Sequence, residues 1–319
     1  MKTRMLGSTK LELSVIGLGT WAIGEEGYRK RINTGKDKGS IDTILSAMEM
    51  GVNWIDTAPS YGFGYSESVV GKAIKMSRKR PIISTKCGLA WKKNKICGCL
   101  NKKSIRSEID GSLRRLGVGV IDLYQIHKPL PEKKIEQAWA TIAGFVSEGK
   151  IRYAGVSNFS IEQLERIMTI RPVDFIQVHY SMLFQDIEKG LLAYCAKNRV
   201  GVVTYSPIER GLLSGKFSWQ DIKKLPKHDH RCRNPLFADK NNFELVERLR
   251  PIALRNKMSM AQLAIAWILR HPKITSVIVG ARFPRQIKET AVAADLTLSE
   301  NDLTRIDMLL KNKNGQYNK

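Results

Sequence analysis

Apolar and polar positions alternate on two length scales along this chain. Short runs rich in β-branched residues recur at 14–19 (SVIGLG), 52–57 (VNWIDT), 81–86 (PIISTK), 120–127 (VIDLYQIH), 151–157 (IRYAGVS), 174–180 (DFIQVHY), 200–206 (VGVVTYS) and 275–280 (TSVIVG). Near-continuous apolar runs of this length are what strands buried on both faces look like. Between them, apolar residues fall three and four apart. Over 40–50, Ile41, Ile44, Leu45 and Met48 form one helical stripe, and Gly51 stands where a helix stops. Over 131–148, Pro131 suits the first helical position. Ile135, Ala138, Trp139, Ile142, Phe145 and Val146 line one face, and Gly149 ends it. Ser160 and Gln163 predict a capping box opening a helix over 160–170, ahead of Leu164, Ile167 and Met168. Segments 102–116, 187–198, 259–270 and 299–310 read as helices in the same way.

Eight strands, each followed by helix, predict an α/β fold in which residues 1–319 form one (β/α)8 TIM barrel. No composition break divides the chain into halves, which favours the barrel over an open doubly wound sheet. The opening MKTRMLGSTKLELS places Gly7-Ser8 between two short runs, predicting an N-terminal β-hairpin that caps the barrel bottom. Segments 88–103 and 223–237 read as long, basic, irregular loops at the C-terminal face. The stretch SVIGLGTWAIG raises an alternative, because Gly17, Gly19 and Ala22 fit the dinucleotide spacing G-x-G-x-x-G/A. That motif needs a helix opening on its last small residue. Residues 23–40 hold four glycines and no helical period, so the next helix is expected only at about Ser40. Gly17 and Gly19 then read as the end of the first barrel strand, where small residues admit a ligand or loop.

Composition narrows the classes. The chain is 43% hydrophobic and 26% charged, ordinary for a folded soluble protein. No apolar run approaches the roughly 20 residues of a membrane helix. The first residues lack the apolar core of a signal peptide, so a cytoplasmic protein without membrane insertion is expected. The five cysteines, Cys87, Cys97, Cys99, Cys195 and Cys232, are an odd set that predicts no disulfide framework. The CGC at 97–99 is not a C-x-x-C pair, and no metal site is expected. The net charge of +23 predicts attraction to anions. Its basic residues stand in short scattered groups with no aromatic-interleaved stripe. They read as a solvated surface, and nucleic acid is not expected as the main partner.

In a barrel the site lies at the C-terminal strand ends. Here those ends present Asp56 and then Tyr61, Lys86, His127, Ser157-Asn158, Gln177 with His179, Tyr205-Ser206, and Gly280. Four of them make a chemically sensible set. A tyrosine ordinarily titrates near about 10, and a neighbouring ammonium favours its phenolate. An Asp holds that ammonium in place, and a neutral His donates to a substrate oxygen. The set suits protonation of an oxyanion.

The same pieces in the same order give the chain a strong resemblance to the aldo-keto reductase family over essentially its whole length. They are GLGTWAIG, WIDTAPSYGFGYSE, ISTKCGL, DLYQIHKP, GVSNFS, IQVHYS, YSPIERGLLSGK and VIVGARFPRQIKE. The chain looks most like the bacterial branch near general-stress reductases and relatives of potassium-channel β subunits. The resemblance implies NADP(H) lying across the barrel top, with hydride transfer to a small-molecule aldehyde or ketone. It implies Tyr61 as general acid, Lys86 and Asp56 as its supports, and His127 as the orienting group. Cofactor contacts carried over by position are Gly19, Thr20, Trp21, Ser157, Asn158, Gln177, Tyr205, Ser206, Pro207, Gly211, Leu212, Lys216, Gly280, Arg282, Gln286 and Thr290.

Within that set, Ser157, Asn158 and Gln177 match the positions that hold the nicotinamide amide, and Tyr205 the ring that stacks on it. Where some relatives have Lys-Ser after the last strand, this chain has Gly280-Ala281. Gln286 and Thr290 replace an Arg and an Asn. In the loops after strands seven and eight, where barrels often bind phosphate, the basic candidates are Lys216 and Arg282. Trp21 and Trp91 are the expected aromatic walls for substrate, and a monomer is the expected state. A reductase and a slow redox-sensing regulatory subunit both fit the tetrad, and turnover separates them.

Overall fold

Eight parallel strands close on themselves in the computed structural model, which describes residues 1–24, 37–92, 95–226 and 229–315. In chain order the strands are β1 (Thr3–Met5), β2 (Glu12–Ser14), β3 (Ile16–Gly19), β4 (Trp54–Asp56), β5 (Ile82–Cys87), β6 (Leu89–Lys92) and β7 (Lys95–Gly98). They continue with β8 (Ile121–Ile126), β9 (Ile151–Ser157), β10 (Phe175–His179), β11 (Gly201–Tyr205) and β12 (Ser276–Gly280). The barrel runs β3-β4-β5-β8-β9-β10-β11-β12 and back to β3. Each sequence run read as a strand holds one barrel strand, and the (β/α)8 expectation is met.

The strands read as apolar because both of their faces are covered. Their outer residues, among them Ile16, Leu18, Ile83, Val156, Ile176 and Val277, share one buried cluster with the surrounding helices. At the bottom, β1 and β2 pair as the expected hairpin, with Thr3 opposite Ser14. Leu6, Leu11 and Leu13 from this hairpin cluster with Trp54, Leu123 and Phe175 from the barrel interior. The Trp54 indole N–H donates to Ser14 O and Ser276 Oγ at 3.3 and 3.0 Å. A Cβ on Gly17 would sit 2.1 Å from the Trp54 ring. Gly17 therefore makes room for a core side chain, not for the ligand or loop expected from sequence.

Further expectations are corrected. Residues 21–24 are helical, against the expectation that no helix opens before about Ser40. Ile23 and Gly24 N–H both donate to Thr20 O. The rest of the stretch, 25–36, lies outside the described residues, and a helix covers Lys38–Glu49. In the described part of 88–103, β6 pairs with β7 antiparallel, with Trp91 opposite Ile96. The described part of 223–237 likewise folds into short turns and the helix Pro235–Ala238, closed over Leu212, Ile222, Phe237 and Phe243. Pro131 precedes a 3-10 turn, Glu132–Lys134, and the α-helix starts at Ile135.

The capping box of Ser160 and Gln163 forms as read. The helices Tyr65–Met76, Lys240–Arg255 and Pro284–Ala291 were not anticipated.

Candidate active site

The C-terminal ends of the barrel strands bring Asp56, Lys86, Tyr61 and His127 together. Asp56 ends β4, and Lys86 projects from the neighbouring β5 into the same interior; both are buried. The Lys86 ammonium has three N–H donors and no acceptor. It donates to Asp56 Oδ2 at 2.6 Å, to Thr57 O at 2.9 Å and to Tyr61 Oη at 3.3 Å. The other Asp56 oxygen accepts from Ser84 Oγ at 3.2 Å and Gln177 Nε2 at 2.8 Å. Ser84 in turn accepts from Gln125 Nε2 at 3.1 Å. A buried carboxylate held by three donors and a buried ammonium with three acceptors satisfy the rule that buried charges be paired and bonded.

Tyr61 sits on the loop after β4, and glycines fix its place. The left-handed Gly62 lies against the Gly24 backbone, where a Cβ would meet Gly24 O at 2.4 Å. Gly24 lies against Tyr61 with equal closeness, its Cβ position 2.6 Å from Tyr61 C. The turn 21–24 is thus the seat of the tyrosine loop. Burial pushes the Tyr61 phenol above 10.0; the Lys86 charge pulls it down and Asp56 pushes it up. The expected lowering by Lys86 is present but outweighed by desolvation. Burial also works against the Lys86 charge, yet Asp56 and Tyr61 beside it leave its ammonium above 10.5. The His127 ring meets Tyr61 edge-on at 5.7 Å, with Nδ1 3.5 Å from Ser60 Oγ. Burial, with Lys86 and Lys128 adding to it, drives His127 well below 6.5 and keeps the imidazole neutral.

A second group follows from β9 to β11. Asn158, in a left-handed conformation, donates to Ser157 Oγ at 2.9 Å and accepts from Tyr205 Oη at 2.9 Å. Its backbone N–H donates to Gln177 O at 3.0 Å. Ser157, Asn158, Gln177 and Tyr205 therefore form one connected patch, joined to Asp56 through Gln177. Two further residues join it, His179, which carries no role legible in the sequence, and Glu209, which carries no local signal at all. The His179 ring stacks on Tyr205 at 5.3 Å, and its Nε2 lies 2.6 Å from the buried Glu209 carboxylate. Gln177 and His179 are two apart on one strand, the spacing that puts both on one face.

The remaining candidates come from β3 and the turn after it, from β12, from the segments after β11 and β12, and from the β6–β7 hairpin. Gly19 and Gly280 are register partners, and a Cβ on Gly280 would meet only Gly19 O at 4.0 Å. Thr20 is spent on structure, bonding Asp56 O at 3.0 Å and Ser66 Oγ at 2.7 Å. The Arg210 guanidinium lies 5.0 Å over the Trp21 ring. Ser206 and Gly211 have left-handed backbone, while Pro207 and the Leu212 side chain are buried. Lys216 is exposed, 3.5 Å from Glu289. Gln286 Oε1 accepts from Arg282 N and Phe283 N at 2.8 and 3.2 Å, capping its own helix. Thr290 is buried and bonds back to Gln286 O at 2.9 Å. Trp91, on the hairpin, meets Phe63 edge-on at 5.7 Å.

Among the described residues no group of three or more metal-binding side chains occurs, and no helix is long and apolar enough to cross a membrane.

Fold and site together define a (β/α)8-barrel protein with a buried Asp–Lys pair and a tyrosine at its C-terminal mouth. The chain belongs to the Aldo/keto reductase family, whose model matches residues 15–311. It is 37% identical over 318 residues to "Aldo-keto reductase YhdN" of Bacillus subtilis (strain 168), covering 98% of this chain and 94% of that protein. It is 36% identical over 322 residues to "NADH-specific methylglyoxal reductase" of Escherichia coli (strain K12), covering 95% and 97%. Among solved structures, the glycerol dehydrogenase AKR11B4 from Gluconobacter oxydans superposes with a TM-score of 0.89 at 34% identity, covering 98% of this chain and 95% of that one. The chain is thus of an oxidoreductase family that uses a nicotinamide cofactor.

Proposed function

We propose that this protein is an NADP(H)-dependent carbonyl reductase that converts small aldehydes or ketones to alcohols, the whole chain acting as one unit. The observation that supports this best is the direction of the hydrogen bond between Lys86 and Tyr61. An ammonium only donates, so Tyr61 Oη accepts from Lys86, and the phenol's own proton is left for another acceptor. The acceptor is the substrate carbonyl oxygen as it gains negative charge. A phenol raised by burial stays protonated until that oxygen develops charge, which makes it a donor in the transition state. The adjacent Lys86 charge then stabilises the phenolate left behind. Asp56, held by Ser84 and Gln177, keeps Lys86 charged and aimed. The neutral His127 donates a hydrogen bond to the same carbonyl oxygen and fixes its orientation.

The residues fit a nicotinamide dinucleotide. Tyr205 offers a ring face beside the tetrad, and Ser157, Asn158 and Gln177 offer amide and hydroxyl partners. Gly280 lets a ligand approach the backbone, since a Cβ built there would meet only Gly19 O at 4.0 Å. Arg282 and Lys216 are proposed for the phosphates, Arg282 for the 2′-phosphate. When bound, the cofactor supplies the hydride. Trp21 and Trp91 wall the carbonyl site. Reduction with cofactor deuterated at the hydride position tests the reading. Deuterium on the alcohol carbon supports it, and unlabelled alcohol contradicts it.

A further inference from the structure

The turn after β11 is held in an unfavourable shape. Ser206, Glu209 and Arg210 have φ of 61, 45 and 55°, and Gly211 follows at 101°. Non-glycine residues resist this region, and such a run persists only where its surroundings over-determine it. Besides backbone bonds from Glu209 N to Ser206 O at 3.1 Å and from Gly211 N to Ile208 O at 2.9 Å, what anchors it is the Glu209 side chain. It is 3% exposed, and one oxygen accepts from His179 Nε2 at 2.6 Å and from Ser181 Oγ at 2.5 Å. Since a carboxylate offers only acceptors, His179 carries its proton on Nε2. The His179 ring, so oriented, stacks on Phe184 at 4.3 Å and on Tyr205 at 5.3 Å, with interplanar angles of 15° and 11°. Tyr205 is therefore gripped twice, by Asn158 at its hydroxyl and by His179 on one face. Neither Glu209 nor His179 bonds to Asp56, Tyr61, Lys86 or His127 among the described contacts, so the acid–base steps leave both unused.

We infer that Glu209 is a positioning residue of the cofactor site. Through His179 it fixes the stacking ring of Tyr205, and through Ser181 it holds the turn 206–211 in its bound shape before ligand arrives. The inference rests on the reading that the nicotinamide stacks on Tyr205. A turn and a ring ordered in advance lower the cost of binding, so the effect falls on affinity.

The test titrates NADPH and, separately, NADH into the full chain, following tryptophan fluorescence, with thermal midpoint and steady-state kinetics measured in parallel. Glu209→Ala is expected to weaken both cofactors at least about tenfold, with KM for cofactor rising far more than kcat falls. Glu209→Gln keeps an acceptor oxygen and is expected within about threefold of wild type. A folded Glu209→Ala protein with wild-type affinity overturns the inference. Should Glu209→Ala not fold, His179→Gln decides. It keeps a donor for Glu209 and removes the ring, and is expected to lose at least about fivefold in affinity. Unchanged affinity there overturns the inference equally. Tyr205→Ala separates the two levels. Unchanged affinity in Tyr205→Ala removes the stacking reading itself. Weakened affinity there, with unchanged affinity in folded Glu209→Ala, overturns only the role of Glu209.

Discussion

Lys86 Nζ lies 2.6 Å from Asp56 Oδ2 with both side chains buried, and the same nitrogen reaches Tyr61 Oη at 3.3 Å. This one ammonium ties the charge at the strand ends to the Tyr61 hydroxyl, the proposed acid. Removing its counter-charge leaves a buried cation unpaired. Asp56→Asn is expected to destabilise the fold by about 3–5 kcal/mol. Thermal or denaturant unfolding measures it, and a loss under about 1 kcal/mol would show the pair to be solvated rather than dry.

The phenol and the imidazole should both be neutral across the working range. Burial holds Tyr61 above 10.0 and His127 well below 6.5. Difference absorbance between wild type and Tyr61→Phe is expected to show no Tyr61 phenolate at about pH 9. The His127 imidazole resonances should stay in the neutral position at about pH 6, where an exposed histidine is mostly charged. A phenolate at pH 9 or an imidazolium at pH 6 would remove the acid and the neutral donor from the scheme.

Glu108 predicts a stability trend of its own. Its carboxyl accepts from Gly88 N at 2.9 Å and Ser104 Oγ at 3.0 Å, at the root of the hairpin bearing Trp91. Burial pushes it from 4.5 up to about 7, against those hydrogen bonds. A raised carboxyl means the folded state binds more protons than the unfolded one between these values. Its contribution is therefore complete below pH 4.5 and lost as pH rises through about 7. Glu108→Gln should remove a pH dependence of roughly 2–3 kcal/mol, gaining on wild type as pH rises from 5 to 8. A constant difference between the two proteins over that range would place the carboxyl in water.

Arg282 tests the choice of cofactor. If it reads the 2′-phosphate, Arg282→Ala should weaken NADPH by about ten- to a hundredfold and NADH far less. Equal losses for the two would assign the phosphate to another group.

The barrel was legible because strands covered on both faces print as continuous apolar runs, from Ile16 in β3 to Val279 in β12. The capping box of Ser160 and Gln163 was legible because both partners lie within one turn. Helix Tyr65–Met76 was not, because its first turn buries Ser66 and Glu67 and so masks the stripe of Val69, Val70 and Ala73. Glu67 is tolerated there by Arg115 at 2.7 Å, a partner 48 residues away that no local pattern reveals. Helix Lys240–Arg255 was hidden by its charges and by Pro251 inside it. At the site, the polar strand ends pointed to Asp56, Lys86 and His127. The supports did not show: Ser84 looks like any strand serine, and Glu209 finds His179 only when β10 and β11 lie side by side.

The most direct test of the central proposal is NADPH oxidation, with NADH in parallel, against aromatic aldehydes, α-dicarbonyls and sugar aldehydes, by wild type and Tyr61→Phe. Many turnovers by wild type are expected, with a loss of about 10²–10⁴-fold in Tyr61→Phe while cofactor still binds. Equal turnover by the two proteins would contradict Tyr61 as the acid. A single slow turnover on every carbonyl would contradict the reductase itself and leave a redox-sensing subunit as the account.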